Sequence, residues 1–131
     1  MRPAATIAIG CAPALLALAA AGSEPAPDRG ERAYQKCYSC HSLGGDERLE
    51  GPALGGIVGR RVAAQPGFAY STALKRFAAG QPVWTPQLLE RFIADPEALV
   101  PGTTMAFTGI RDAEERAALI GYLQRSAKPA D

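Results

Sequence analysis

Apolar residues in this chain come in clusters separated by long runs rich in glycine and proline, and almost nowhere do apolar and polar positions alternate with a period of two. The pattern predicts an all-α protein with about four helices. The first spans residues 28 to 40 and follows a short stretch containing Pro25 and Pro27. The second, residues 71 to 79, opens on Ser71 as an N-cap. The third starts at Thr85-Pro86, a capping residue followed by proline in the first turn, and stops before Pro96. The last begins at Asp112, where Glu115 completes the pattern of a capping box, and runs to about Ser126. Its stripe of Leu119, Ile120, Tyr122 and Leu123 is too short to be stable alone and needs a partner. The first helix offers Gly30 and Tyr34 on one face. A glycine costs a helix about 1 kcal/mol, so Gly30 predicts a close approach to Leu119 and Tyr122.

The N-terminus has a different character. Met1-Arg2 precedes an apolar run from Thr6 to Ala21 that closes on Ala19-Ala20-Ala21-Gly22-Ser23, the layout of a secretory signal. The expected organisation is a leader over residues 1–22, a short Pro-containing linker over 23–29, and one domain over 30–127. The run is short for a membrane span of about 20 residues and is interrupted by Pro13, which favours a cleaved leader over an anchor. Cys11 lies before most of the apolar run, the wrong order for a lipid-modified cysteine. The leader removes Arg2 and no acid, so 13 basic residues face 13 acidic ones in the remainder. That balance argues against nucleic acid or a strongly anionic membrane as partner.

Chemistry concentrates at Cys37-Tyr38-Ser39-Cys40-His41, which contains the only histidine of the 131 residues. C-x-x-C-H is a haem-attachment pattern: both cysteines can reach a porphyrin edge as thioethers, and the next residue can set its imidazole under the iron. Taken alone the five residues also fit a redox pair or half a zinc site. The inventory disfavours zinc, because the third cysteine, Cys11, falls in the leader and no other histidine exists. A thioredoxin-like redox pair would require alternating strands and helices, which the pattern lacks. With His41 used, a second axial ligand must come from another residue type. Met105 is the only methionine besides Met1, and Pro101-Gly102-Thr103-Thr104-Met105-Ala106-Phe107 reads as a loop, not as the apolar face of a helix. The loop from Ser42 to Tyr70 is also too long for a compact domain without a ligand to wrap. Its segment Gly51 to Arg60 lacks the Lys-Ser/Thr ending of a phosphate cradle and follows no strand, which excludes a nucleotide site.

From about Gly30 to Ala127 the chain resembles the class I c-type cytochromes, the mitochondrial cytochrome c and its soluble bacterial relatives. The resemblance rests on C-x-x-C-H, Gly51-Pro52-x-Leu54, Gly59-Arg60, Pro66-Gly67-Phe68-x-Tyr70-Ser71, Trp84, Pro96, and Pro101-Gly102-Thr103-x-Met105 with Phe107, in that order. It implies a single-domain cytochrome c fold wrapped around one haem c bound covalently through Cys37 and Cys40, with His41 and Met105 on the iron. It further implies that the Pro52 carbonyl accepts from the outer nitrogen of His41, that Arg60, Tyr70 and Trp84 contact the haem propionates, and that Phe107 packs beside the methionine. The implied function is a one-electron carrier in the bacterial periplasm, a monomer serving membrane or periplasmic donors and acceptors at an exposed haem edge. A dedicated subunit of one oxidoreductase, or a haem protein with peroxidase or ligand-sensing activity, is the alternative. The chain departs from the family in two respects. Glu97, Ala98 and Thr104 stand where lysines are expected, leaving Lys36, Arg48 and Arg111 as a thin basic ring, and Phe92 replaces an expected tyrosine.

Overall fold

The computed structural model describes residues 27–44 and 49–126. The leader, most of the linker, Ala127 and Arg48 lie outside the described residues. Five helices follow one another: α1 (Arg29–Tyr34), α2 (Thr72–Gly80), α3 (Pro86–Ala94), α4 (Pro96–Leu99) and α5 (Ala113–Arg125). Each is preceded by a side chain that takes an otherwise unpaired amide of the first turn. Asp28 accepts from Glu31 N at 2.8 Å, Ser71 from Leu74 N at 3.1 Å, and Thr85 from Leu88 N at 3.1 Å. Asp95 accepts from Ala98 N at 3.0 Å and Asp112 from Glu115 N at 2.8 Å. Only half of the expected capping box forms at α5, because the Glu115 carboxylate turns to Lys36 at 2.6 Å.

Two boundaries differ from the sequence expectation. Regular α1 stops at Tyr34, and the chain winds on to His41 through turns instead of continuing as a helix to Cys40. The amides of Gln35, Lys36, Cys37 and Cys40 bond three residues back, while those of Tyr38 and His41 bond four back, a tighter and less regular winding. An extra single-turn helix, α4, follows Pro96. Proline ends the preceding helix but is well suited to the first turn of the next, and Asp95 serves as the C-cap of α3 and the N-cap of α4.

The packing centres on α1 against α5. A Cβ on Gly30 would overlap the Ala118 carbonyl oxygen and lie 2.7 Å from the Tyr122 Cβ, so the close approach falls one residue earlier than the expected Leu119. The rings of Tyr34 and Tyr122 lie 5.6 Å apart. Helix α3 contributes Leu88, Leu89, Phe92 and Ile93 from one face, and α5 contributes Leu119, Ile120 and Leu123. Long segments close the remaining sides. The segment after His41 is laced to the chain before α3 by Val62 N to Pro82 O at 2.9 Å and Trp84 N to Arg60 O at 2.9 Å, which carry an isolated bridge between Arg61 and Val83. Among the described residues no helix is long and apolar enough to cross a membrane.

Gly30→Ala is expected to destabilise the protein by about 1–3 kcal/mol, because overpacking at the α1/α5 contact outweighs the gain of about 1 kcal/mol in helix propensity. The urea midpoint of the holoprotein reads this directly. The carboxyls of Asp28 and Asp112 are held below the ordinary value of 3.8, chiefly by the amides of Glu31 and Glu115. Groups whose native pKa is depressed stabilise the fold above the unfolded pKa, and that contribution is lost as pH falls through the native pKa. Replacing both by Asn keeps the caps, and should flatten the decline of thermal midpoint between about pH 5 and pH 2.

Candidate functional site

The described structure contains a cavity of about 290 Å³, and all nine residues singled out in the sequence line it. Cys37, Cys40 and His41 come from the turns after α1, Pro52, Arg60 and Tyr70 from the long loop, Trp84 from the stretch before α3, and Met105 and Phe107 from the loop between α4 and α5. The remaining wall is largely apolar and includes Ile57, Leu89, Phe92, Ile93, Leu119 and Leu123. These same side chains are buried to below a tenth of their surface. The Trp84 ring lies tilted against Phe92 at 5.1 Å and against Phe77 at 6.4 Å, which sets the indole against α2 and α3.

His41 is held from three directions. Its Nδ1 lies 2.7 Å from the Pro52 carbonyl oxygen, which can only accept, so Nδ1 carries the proton and Nε2 keeps its lone pair. The Tyr34 hydroxyl donates to the His41 backbone carbonyl at 2.7 Å. Gly51 lies against the ring: a Cβ there would overlap Cε1 and fall 2.8 Å from Nε2. Burial lowers the imidazole pKa, helped by the Arg60 charge and opposed by the Pro52 bond. The ring is therefore neutral near pH 7 and available as a metal ligand.

Cys37 and Cys40 are not joined to each other in a disulfide. Burial pushes the Cys37 thiol up to about 11, which keeps it protonated and makes it a poor partner for disulfide exchange. Among the described residues no group of three His, Cys, Asp or Glu side chains converges on a point that a metal ion could occupy.

Arg60 is half-buried, and burial presses its guanidinium pKa down, although an arginine remains charged. Its Nη2 donates to the Ala53 carbonyl at 2.6 Å, and among the described residues no carboxylate pairs with it. Such a charge at a cavity wall suits an anionic group in the cavity. The Tyr70 hydroxyl oxygen accepts from Gln65 N at 3.1 Å, leaving its proton free to donate. Gln65 in turn accepts from Ala53 N at 2.8 Å, which joins the same loop into one network. The residues present fit haem: two cysteine sulfurs, a neutral imidazole and a thioether around an apolar cavity, with a cation beside it that no carboxylate among the described residues pairs.

A family model described as Cytochrome c matches residues 27–127. The chain belongs to the cytochrome c family. Cytochrome c2 of Agrobacterium tumefaciens is 42% identical over 106 residues, covering 79% of this chain and 96% of that protein. Cytochrome c2 of Blastochloris viridis is 38% identical over 97 residues, covering 73% and 74%. Among solved structures, cytochrome cH from Methylobacterium extorquens superposes with a TM-score of 0.66 at 36% identity, covering 73% of this chain and 94% of that one. As a cytochrome c the protein carries covalently attached haem c, has the all-α fold of that family, and transfers electrons without being an enzyme.

Sequence reasoning missed the parts played by Tyr34, Gly51 and Gln65. Tyr34 was read as a helix-packing residue, yet it lies seven positions before His41, two helical turns away and on the same side. Gly51 belongs to a segment whose glycines are expected to let backbone lie against a porphyrin, and the structure sets it against the His41 ring. Gly51→Ala is expected to push the His41 ring off the Pro52 carbonyl and destabilise the holoprotein by about 1–3 kcal/mol, seen as a lower urea midpoint. Gly44→Ala is the control, because a Cβ at Gly44 meets nothing within 4 Å among the described residues.

Proposed function

We propose that this cytochrome c is a periplasmic one-electron shuttle whose haem is bound through Cys37 and Cys40 and ligated by His41 and Met105. The observation that carries this reading is the fixed orientation of His41: with Nδ1 committed to Pro52, its other ring nitrogen is the one left for iron, in a cavity that Met105 also lines. Haem, when bound, supplies a one-electron couple between Fe(II) and Fe(III).

The chain's own residues decide how that couple is used. His41 and Met105 would together hold the iron and leave no position for oxygen or peroxide, which would restrict the site to electron exchange. The thioether of Met105 would donate weakly to ferric iron, and the apolar walls built by Phe92, Ile93 and Leu119 would disfavour its extra charge, so both would raise the potential. The Pro52 carbonyl makes His41 a more basic ligand and fixes its ring plane. Arg60, Tyr70 and Trp84 receive the propionates, and Phe107 packs beside Met105. Thioether attachment keeps the haem in place through repeated docking.

Residues 1–22 export the chain and are removed, 23–29 form a linker, and 30–127 carry the function. The carrier works as a soluble monomer between membrane or periplasmic donor and acceptor proteins. The relatives named cytochrome c2 support the carrier reading, and the leader supports its location.

The test is the ferric spectrum of the exported holoprotein and of Met105→Ala. Wild type is expected to be low-spin, with a sulfur-to-iron charge-transfer band that the substitution abolishes. The potential should fall with the loss of sulfur. A high-spin wild type that binds external ligands freely, unchanged by the substitution, would instead favour a ligand-sensing or peroxidase function.

A further inference from the structure

The segment that presents Met105 is fastened differently at its two ends. Downstream, Gly109 packs so closely on Ala94 that a Cβ would overlap the Ala94 carbonyl oxygen, and Ile110 N donates to Ile93 O at 2.9 Å. Arg116, itself largely buried and paired with Glu90 at 2.7 Å, donates to the carbonyls of Ile110 and Arg111 at 2.8 Å each. That end is locked to α3 and α5 by several bonds in partly enclosed surroundings.

The upstream end has fewer fastenings. Pro96 and Val100 are buried and hold α4 in place, and Val100 N bonds to Pro96 O at 2.9 Å. Beyond them the exposed Pro101 and Gly102 reverse the chain, with Gly102 at φ +85°. Thr103 N returns to Val100 O at 3.0 Å, and Gly102 N donates to the Glu97 carboxylate at 3.1 Å. Glu97 thus spans from α4 to the turn that delivers Thr103 and Met105. The step after it, Met105 N to Thr103 Oγ1 at 3.3 Å, depends on the turn keeping its shape.

We propose that Glu97 is a positioning residue for Met105: its carboxylate closes the turn at Gly102 and thereby sets how often the thioether leaves the iron. The proposal rests on the ligation by Met105 argued above. The bond from Gly102 to Glu97 is exposed to solvent, so water competes with it. Removing the carboxylate therefore shifts the loop toward its open form without disturbing the buried anchors at Pro96, Val100 and Ile110. An external ligand reaches the iron only when Met105 is away, so its apparent dissociation constant falls in proportion to the gain in open form.

Imidazole titration of the ferric holoprotein, read from the Soret band, compares wild type with Glu97→Ala, Glu97→Gln and Met105→Ala. Glu97→Ala is expected to bind imidazole about three- to tenfold more tightly than wild type. Glu97→Gln keeps an acceptor oxygen and should remain within about twofold of wild type. In parallel, the Gly102 amide should exchange with solvent faster in the Ala variant and at the wild-type rate in the Gln variant. An unchanged imidazole affinity in Glu97→Ala, even with a lowered urea midpoint, overturns the proposal, because a role in general stability does not open the loop selectively. Equal tightening in the Ala and Gln variants also overturns it, since charge and not hydrogen bonding would then be responsible. A wild type that binds imidazole as tightly as Met105→Ala and lacks the sulfur band overturns the ligation reading, and this proposal with it. The wild-type spectrum distinguishes that failure from the others.

Discussion

The chain builds an apolar cavity that its own side chains do not fill, and nearly everything else in the structure answers to that. Trp84, Leu89, Phe92, Ile93, Leu119 and Leu123 are at once the buried core and the walls of the cavity. They belong to one buried cluster with Leu88, Val100, Ile110 and Ile120, which stand behind the cavity wall. A domain of this size buries a modest share of its surface, so the apolar area supplied by the haem of a cytochrome c is part of what makes the fold stable. Covalent attachment follows physically from this dependence, because a group that completes the core cannot be allowed to dissociate.

The two sides of the cavity are built to different standards of rigidity. His41 is fixed through its backbone by Tyr34, through its ring by Pro52, and through its face by Gly51. Tyr34 in turn is stacked on Tyr122, so the position of the imidazole is tied to the contact between α1 and α5. Met105 sits in a loop whose bonds near it are short-range and partly exposed, with the buried partners lying further off at Val100 upstream and at Ile93 and Arg116 downstream. In the proposed ligand pair, one member defines the site and the other is one that the surrounding loop must keep in place. Electron transfer benefits from both staying put, because any change of coordination between the two oxidation states adds reorganisation to each transfer.

The helices were legible where local rules govern. Ser71, Thr85 and Asp112 each cap as their side chains predict, and Asp28, the expected start of the first helix, proves to be its cap, since an N-cap bond spans only three residues. The haem pattern and Met105 could be read because the chain has so few histidines, cysteines and methionines to choose from. What could not be read depended on contacts distant in sequence. The winding after Tyr34 looks helical by composition, yet it must bring Cys37, Cys40 and His41 to one cavity, and tighter turns do that. Glu115 has the right spacing for a capping box, but a lysine 79 positions away claims its carboxylate. Arg60 was expected to face the haem, and it does line the cavity, while also donating to Ala53 from within its own loop. Helix α4 was hidden because Pro96 signals a stop and a start equally well, and only Asp95 serving both helices resolves which.

The same long-range pairing shapes the surface on which a carrier must be recognised. Lys36, next to the attachment segment, is held by Glu115 at 2.6 Å, and Arg29 is shared between Glu114 at 2.7 Å and Asp112 at 3.4 Å. Arg125 meets Asp28 at 2.8 Å. Exposed pairs such as these add little stability, commonly about 0–1 kcal/mol each. Their larger effect is on the field: each of these three cations is cancelled within a few ångströms, inside the Debye length of about 8 Å at physiological salt, so these three add little positive potential toward an approaching partner. Glu97 deepens this contrast, adding a negative charge beside the Met105 loop where a lysine would add a positive one. Long-range attraction to an acidic partner is correspondingly weak, and the encounter must draw more of its specificity from short-range fit around the cavity mouth. The residue that replaces the expected cation is also the one that fastens the methionine turn, so at this position surface charge and ligand geometry cannot be altered independently.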